Sequence, residues 1–212
     1  RSPRREALES DPLRVLRAFR FAAQLNFDIE HDTGEWLGEL APRIDGVAGE
    51  RIGQEITKLF AAPHCADAMQ AAENLGALDG LVPPLAAMRG VQQGGYHHLD
   101  VLGHTLLALH EAERAINEPE LFLPCAVEAV RLWLSDPANR AAVRLGTLFH
   151  DVGKPECRTE EEGRTRFLGH SDASAATFLD LARRWCLPTH LRRQVVRMIR
   201  LHMRPLELAS SG

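Results

Sequence analysis

The chain has 212 residues, 45% of them hydrophobic, and a formal net charge of −4 at pH 7. This length suits one large domain or two small ones, and the apolar content is enough for a proper core. The small negative charge argues against nucleic-acid binding over the whole surface, so any such binding has to be local. Local positive charge is found near the start of the chain, at Arg1, Arg4, Arg5, Arg14, Arg17 and Arg20.

The four cysteines, Cys65, Cys125, Cys157 and Cys186, show no CxxC spacing. A cysteine zinc site or redox motif is therefore not expected, and we interpret the cysteines as reduced thiols of a cytoplasmic protein. No apolar run is long enough to span a membrane, and no signal peptide is visible. Because the chain begins with arginine, we expect it to be a fragment of a longer protein.

A strong helix pattern covers residues 10–26. Ser10 or Asp11 is the expected cap, Pro12 suits the first turn, and Asn26 is the expected stop. The residues of its apolar stripe are Leu16, Phe19 and Ala23.

Three polar residues of this helix, Asp11, Arg14 and Arg17, are spaced by three and therefore share a sector of about 120°. A carboxylate beside a guanidinium offers both an acceptor and a donor, which is what reading the Watson–Crick edge of a base requires. The alternative is an i,i+3 salt bridge on a solvated face.

The first half of the chain contains four further predicted helices, over 32–40, 50–60, 65–75 and 78–88. Arg51, Glu55 and Lys58 lie on one polar face, as in an ordinary salt-bridge ladder. Gly76 is the expected C-cap between two helices. The glycine-rich residues 89–95 are interpreted as a linker.

The second half has predicted helices over 104–115, 125–134, 140–149, 171–185 and 188–202. Residues 159–165 are expected to form a charged, solvated turn, and Asp172 is expected to cap the helix after it. No strand pattern of any length is found, so the sequence predicts a helical protein throughout.

One short stretch of the second half carries candidate chemistry. His150 and Asp151 follow an apolar helix stripe and point about 100° apart, so both can reach one divalent ion. Lys154 lies three residues after Asp151 and four residues after His150, so its side chain can project over the same face of the helix. There, its ammonium group can bind a phosphate oxygen. The alternative is an exposed His-Asp pair at a helix end.

Three other histidines, His104, His170 and His202, also stand beside apolar helices. The best metal set is His104, His150 and Asp151, whose donor atoms we expect to converge. His170 and His202 are candidates for a second metal or a phosphate, or for hydrogen-bonded histidines at helix ends. Lys154 and His170 are expected at the rim. Mixed His and Asp ligands admit Mn, Fe, Co, Ni, Mg or Zn.

This order of histidines around an adjacent His-Asp pair resembles the HD superfamily of metal-dependent phosphohydrolases, from roughly His98 to His202. The resemblance implies metal-assisted hydrolysis with His150, Asp151 and Lys154 as catalytic residues. Members of that superfamily usually add a later Asp ligand, whereas no Asp follows Asp180 here.

The first helix resembles the neck motif of class II tRNA nucleotidyltransferases, the family of CCA-adding enzymes and bacterial poly(A) polymerases. The family pattern Glu-Asp-x-x-Arg, then Arg-Ala-x-Arg-Phe, reads Ser10-Asp11-Pro12-Leu13-Arg14 and Arg17-Ala18-Phe19-Arg20-Phe21 here. The resemblance implies that Asp11 and Arg14, together with Arg17, bind the base of CTP or ATP, and Ser10 replaces the family glutamate. Arg51, Glu55 and Lys58 match a second motif that braces the neck.

The two resemblances imply an all-α protein with a neck and body region over 1–95 and an HD helical bundle over 96–212. They imply tRNA or another RNA 3′ end as partner, ATP or CTP as ligand, and Mg or Mn for nucleotidyl transfer. The carboxylate-bearing sheet and the Gly-Ser motif that transfer requires are not found, so we expect the chain not to add nucleotides alone.

Three interpretations remain open at this stage. The chain is the later part of a tRNA nucleotidyltransferase, an HD phosphohydrolase with scaffold helices, or a non-catalytic region for RNA binding or dimerisation. CCA-, CC-, A- and poly(A)-adding activities are not distinguished by these residues, nor is the oligomeric state.

Overall fold

The computed structural model describes residues 4–94, 98–161, 163–204 and 208. It is 73% helical with two short strands, which confirms the all-α prediction. Within the described residues, no helix combines the length and the apolar character needed to cross a bilayer.

The described residues of the first half, 4–94, form seven helices and one 3-10 helix. They are α1 Arg5–Glu9, α2 Leu13–Leu25, α3 His31–Leu40, the 3-10 helix Ala41–Gly46, α4 Gly49–Ala61, α5 Cys65–Asn74, α6 Leu78–Leu81 and α7 Pro83–Ala86. The sequence pattern did not predict α1. Where a single helix was expected over 78–88, the structure has two short helices, α6 and α7. They are separated because Val82, the residue before Pro83, leaves the helical conformation.

In the second half, the part that the structure describes forms seven helices, one 3-10 helix and two strands. They are α8 Val101–Asn117, α9 Pro119–Phe122, the 3-10 helix Pro124–Ala126, α10 Val127–Leu134, α11 Pro137–Phe149, α12 Lys154–Cys157, β1 Thr159–Glu161, β2 Arg164–Arg166, α13 His170–Arg184 and α14 Thr189–Leu201. The strands pair antiparallel, with Thr159 opposite Arg166.

This hairpin corrects the expectation of a charged turn without strands. Its strands are three residues long and its side chains are mostly exposed, so no apolar alternation marks them. Gly163 adopts a φ of 73°, the left-handed conformation that a tight connection uses. Glu162, part of the predicted turn, lies outside the described residues.

Two of the predicted helix ends differ from the structure, and a third agrees. α2 starts after Pro12, and neither Ser10 nor Asp11 caps it with a side chain. It ends as expected at Asn26, which has a φ of 53° and donates its N–H to the Ala22 carbonyl. Asp172 lies in the first turn of α13 and pairs with Arg200 instead of capping the helix.

One hydrophobic core extends through both halves, from Leu8 on α1 to Ile199 on α14. α4 lies at the centre because it packs against α2 on one side and α11 on the other. The predicted boundary between 95 and 96 falls where residues 95–97 lie outside the described part of the chain. The division into 1–95 and 96–212 stays a prediction.

Candidate metal centre and neck groove

Four histidines surround the carboxylate of Asp151, which is 1% exposed. They come from four separate places in the chain. His104 lies in the first turn of α8, His150 ends α11, His170 begins α13 and His202 ends α14. The structure thus brings together all five residues that the sequence singled out as metal ligands.

The donor atoms fall into two overlapping groups that share Asp151. His104, His150 and Asp151 form one, and Asp151, His170 and His202 form the other, each with donor atoms within 4.8 Å of one another. On one side, Asp151 Oδ2 lies 3.0 Å from His150 Nε2 and 3.9 Å from His104 Nε2. On the other, Asp151 Oδ1 lies 3.4 Å from His170 Nε2 and 3.7 Å from His202 Nε2.

Backbone carbonyls orient three of these imidazoles. The Nδ1 atoms of His150, His170 and His202 each lie 2.7 Å from the carbonyl oxygen three residues earlier in the chain. A proton on Nδ1 is donated to that carbonyl, so Nε2 is the atom that faces Asp151. Nε2 donates its proton to the carboxylate when the ring is protonated, and it carries a free lone pair in the neutral Nδ1–H tautomer. This tautomer is the form in which histidine binds a metal.

Two features of the cluster fit a divalent cation. The Nε2 atoms of His170 and His202 lie 3.2 Å apart, so two lone pairs face each other when both rings are neutral. Asp151 Oδ1 is buried and has no hydrogen-bond partner among the described residues. A cation between these atoms would satisfy all three, because nitrogen and carboxylate donors are its usual ligands.

Lys154 belongs to the cluster and does not stand at an open rim as expected. Its Nζ lies 2.7 Å from Asp151 Oδ2 and 2.7 Å from Gln93 Oε1, and its side chain is 14% exposed. Nζ also lies 5.4 Å from the centre of the Phe167 ring. Its charge therefore compensates the buried carboxylate directly. His170, also expected at the rim, contacts Asp151 as well.

The electrostatics of the cluster keep Asp151 ionised. Burial acts to raise the pKa of this carboxyl, but the hydrogen bond and charge of His150 and the charge of Lys154 outweigh it. The pKa of Asp151 therefore lies well below its usual range. Burial lowers the pKa of His202, and the nearby His150 acts in the same direction.

Two residues that sequence reasoning missed hold the His-Asp turn in place. The N–H of Gly153 donates to Ser174 Oγ at 2.9 Å, which ties the end of α11 to α13. A Cβ at Gly153 would lie 2.6 Å from the Ser174 backbone nitrogen, so this close approach requires glycine. Gln93 holds Lys154 from the other side. No local pattern marks Ser174 or Gln93.

A second candidate site is a groove of about 520 Å³ beside α2. Arg14 and Arg17 line it, together with the exposed aromatic rings of Phe21 and Phe27. Arg14 Nη1 donates to the Ala7 carbonyl at 2.9 Å. The groove therefore offers guanidinium groups beside apolar surface, a combination that suits a stacked, anionic ligand.

Asp11 faces away from this groove. Its carboxylate accepts from Arg51 Nη2 at 3.0 Å, which joins α2 to α4. Asp11 is paired with Arg51 and not with Arg14, so the i,i+3 salt bridge considered from the sequence is not the interaction formed. In this arrangement Asp11 and Arg14 do not present one continuous edge.

The motif of Arg51, Glu55 and Lys58 lies on α4, which faces the neck helix α2. Glu55, 7% exposed, accepts from Arg20 Nε, and its other oxygen lies 3.7 Å from Arg17 Nε. Together with the pair between Arg51 and Asp11, these contacts hold α2 against α4. Arg17 is therefore shared between the groove and this bracing network.

Comparison with known proteins adds two family matches. The HD domain model matches residues 101–210, and a model described as the probable RNA and SrmB-binding site of polymerase A matches residues 26–88. The region matched by the HD domain model contains the candidate metal centre. The region matched by the RNA-binding model contains the helices that pack against α2.

Two of the similar curated proteins are named as tRNA nucleotidyltransferases. The chain is 36% identical to the CC-adding tRNA nucleotidyltransferase of Thermus thermophilus, over 94% of this chain and 43% of that protein. It is 32% identical to the A-adding tRNA nucleotidyltransferase of Deinococcus radiodurans, over 92% of this chain and 42% of that protein. A multifunctional CCA protein of Pasteurella multocida is also 32% identical to the chain, over 86% of this chain and 40% of that protein.

The chain thus spans less than half the length of these relatives, and the matching part is their C-terminal region. The HD domain model alone matches more than half of the chain. The chain therefore belongs to the HD domain family, joined here to the RNA-binding region found in tRNA nucleotidyltransferases and poly(A) polymerases.

Proposed function

We propose that this chain is the RNA-binding and HD part of a tRNA nucleotidyltransferase that acts on the tRNA 3′ end in the cytoplasm. The observation that carries the proposal is the similarity to CC-adding and A-adding enzymes over more than nine-tenths of the chain. Nucleotide addition itself is assigned to the part of such an enzyme that this chain does not include. We therefore expect the chain alone to bind RNA without extending it.

Similarity alone leaves the added nucleotide open. A CC-adding and an A-adding enzyme are almost equally similar to the chain, at 36% and 32% identity. General resemblance of the neck, body and HD parts therefore does not distinguish these activities. CCA addition and poly(A) synthesis remain equally open.

In the neck, we propose that Arg14 and Arg17 receive ATP or CTP in the groove beside α2. Their guanidinium groups supply donors and positive charge, and Phe21 supplies an apolar face. For Asp11 to join them in reading a base, its carboxylate has to exchange Arg51 for the ligand. That exchange is inexpensive, because an exposed ion pair contributes at most about 1 kcal/mol.

The neck proposal is tested in the full-length enzyme. Replacing Arg14 with Ala is expected to disturb the choice between CTP and ATP more than it disturbs RNA binding. Arg43→Ala, on the exposed side of the 3-10 helix after α3, is the matched control and leaves selectivity intact. Unchanged selectivity in the Arg14 variant would leave that residue with a structural role only.

At the HD centre, we propose metal-dependent hydrolysis of a phosphate ester or a cyclic phosphodiester. His104, His150 and Asp151, with His170 and His202, are the residues that would hold the ion. A divalent ion bound there supplies a water of lowered pKa and offsets charge on a phosphoryl oxygen. Mn, Fe, Co, Ni, Mg and Zn all suit this mixed donor set.

The protein's own groups have distinct roles in this proposal. Asp151 supplies the central negative charge, and the carbonyls behind His150, His170 and His202 fix their tautomers. Lys154 neutralises Asp151 until a cation takes over that role. Its Nζ is then available to a phosphate oxygen, with Gln93 limiting how far it swings.

The hydrolysis proposal is tested on this chain with bis(4-nitrophenyl) phosphate and with 2′,3′-cyclic AMP. Each divalent ion in turn is added to metal-stripped protein. Turnover in the His150→Ala variant should fall at least about a hundredfold, since loss of outer partners alone costs 10–100-fold. His190→Ala, an exposed histidine at the start of α14, is the control. Equal turnover in both variants would assign the activity elsewhere.

A further inference from the structure

The outward face of α14 is strongly positive, although the chain as a whole carries a net charge of −4. α14 contains four arginines and neither Asp nor Glu between Thr189 and Leu201. Arg193, Arg197 and Arg200 are exposed and stand at i, i+4 and i+7, so they form one row. The row spans about 10 Å along the helix axis.

These arginines are largely uncompensated. Arg200 pairs with Asp172 at 3.1 Å. Arg193 and Arg197 make no ion pair with any residue in the described ranges of the chain. With Val196 and Leu201, the three arginines line a shallow groove of about 430 Å³. A row of like charges open to solvent raises the local positive potential, which attracts an external anion.

The row runs toward the end of α14 that carries one histidine of the candidate metal centre. His202, one of the clustered histidines, follows α14 directly, two residues after Arg200. Asp172, which holds Arg200, comes two residues after His170 of the same cluster. One end of an extended anion lying along the row would therefore be at the end of α14 and the start of α13, the two elements that position His202 and His170.

We propose that the outward face of α14 binds the phosphate backbone of an RNA strand and leads the end of that strand to the HD centre. This inference rests on the proposed hydrolysis and deepens it. The substrate of the centre is then the end of an RNA chain, and a free mononucleotide binds less well because it reaches only one end of the row.

The composition of the face favours RNA over a lipid surface. Guanidinium groups bind phosphate oxygens in a bidentate fork, and three along one row match a repeating anion. Interfacial membrane helices insert a broad apolar face. Here the apolar face of α14, with Leu191, Val195 and Ile199, is buried in the core, each at most 1% exposed.

The test is fluorescence anisotropy of the full chain with a labelled 12-nucleotide single-stranded RNA, over a series of salt concentrations. R193Q/R197Q should weaken binding about tenfold or more at 0.1 M salt. The slope of log affinity against log salt should fall by about 1.4, because each phosphate contact on a single strand contributes about 0.7. R193K/R197K keeps both positive charges, so the slope of log affinity against log salt should stay close to that of the unmodified chain.

R114Q/R131Q is the matched control, because it removes two exposed arginines on α8 and α10 that are already paired with Glu111 and Glu120. An equal loss of RNA binding in this control, or an unchanged salt slope in R193Q/R197Q, overturns the proposal. So does binding to phosphatidylserine vesicles that R193Q/R197Q abolishes while RNA binding persists.

The H150A variant separates this inference from the proposed hydrolysis. In the H150A background, hydrolysis should be lost, whereas adding R193Q/R197Q should still lower the salt slope of RNA binding by about 1.4. If the unmodified chain showed no hydrolysis but R193Q/R197Q weakened RNA binding as expected, only the hydrolysis proposal would be disproved. If the unmodified chain hydrolysed its substrate but R193Q/R197Q left RNA binding unchanged, only the proposal for the outward face of α14 would be disproved.

Discussion

Both carboxylate oxygens of Asp151 face cationic or metal-binding groups. One oxygen lies near His150 and Lys154, and the other lies near His170 and His202. An amide at this position keeps the size of the side chain but removes its charge and replaces one acceptor oxygen with a donor. Metal binding is therefore expected to depend on Asp151 more than on any single histidine.

Asp151→Asn should lower the affinity for Mn²⁺ or Co²⁺ by about a hundredfold or more, since a neutral ligand leaves the cation charge uncompensated. The measurement is metal content by mass spectrometry after dialysis. Asp180→Asn, an exposed carboxylate on α13, is the control and should leave metal content unchanged. Full metal content in the Asp151 variant would show that the cluster does not hold the ion.

Cys65 should resist thiol reagents in the folded protein. Burial raises the pKa of its thiol, and thiolate is the reactive form. Exposed Cys125 and Cys186 should react with a disulfide reagent at pH 8, whereas Cys65 should react only after unfolding. Since the folded pKa is the higher one, the associated stability is complete below about pH 8.5 and declines as the pH rises above it. Rapid labelling of Cys65 would contradict its burial beside Glu113.

At this scale, the sequence was informative where a motif placed residue types at a recognisable spacing. His150 and Asp151 are adjacent, and the other three histidines of the cluster each stand next to an apolar helix pattern. Gln93 and Ser174 could not be predicted, because they contact Lys154 and Gly153 across 61 and 21 residues. Contacts of that range depend on how the helices pack, which leaves no trace in local spacing.

Among the elements, the long helices were predictable because the core lies along their 3.6-residue period. Short elements were not. α1 has five residues with one buried side chain, and the hairpin over 159–166 exposes most of its side chains. Without a buried face, such segments show no periodicity, and their conformation follows from turns and neighbouring elements.

A buried ion pair joins four helices of the core. Arg144 on α11, 1% exposed, donates to Glu113 on α8 at 2.8 Å and to the Phe60 carbonyl on α4 at 3.0 Å. Glu113 also accepts from the Cys65 backbone nitrogen on α5 at 2.9 Å. Four helices from both halves therefore meet at one pair of charges.

Glu113→Gln should lower the free energy of unfolding by about 3 kcal/mol or more, because it leaves the Arg144 guanidinium buried without a counter-charge. Urea denaturation measures the change. Glu111→Gln, on the exposed side of α8 and paired with Arg114, is the matched control, with an expected change below about 1 kcal/mol. A similar small change for both variants would show that the buried pair does not hold the helices together.

Across the whole molecule, glycines allow the two halves to approach closely. A Cβ at Gly49 would lie 1.9 Å from the Arg184 carbonyl, and one at Gly53 would lie 2.0 Å from that of Trp185. The end of α13 is thus in direct backbone contact with α4. Trp185 itself is 5% exposed and belongs to the shared core. Each half therefore buries part of its apolar surface against the other.

The shared core predicts one cooperative unfolding unit. Hydrogen exchange in increasing urea should show the amides of α2 and α4 losing protection together with those of α11 and α14, at one free energy of opening. Glu113→Gln should lower that free energy equally in both halves, because its partners lie in both. If α2 and α4 opened at clearly lower urea than α11 and α14, the RNA-binding region and the HD region would be separate folding units.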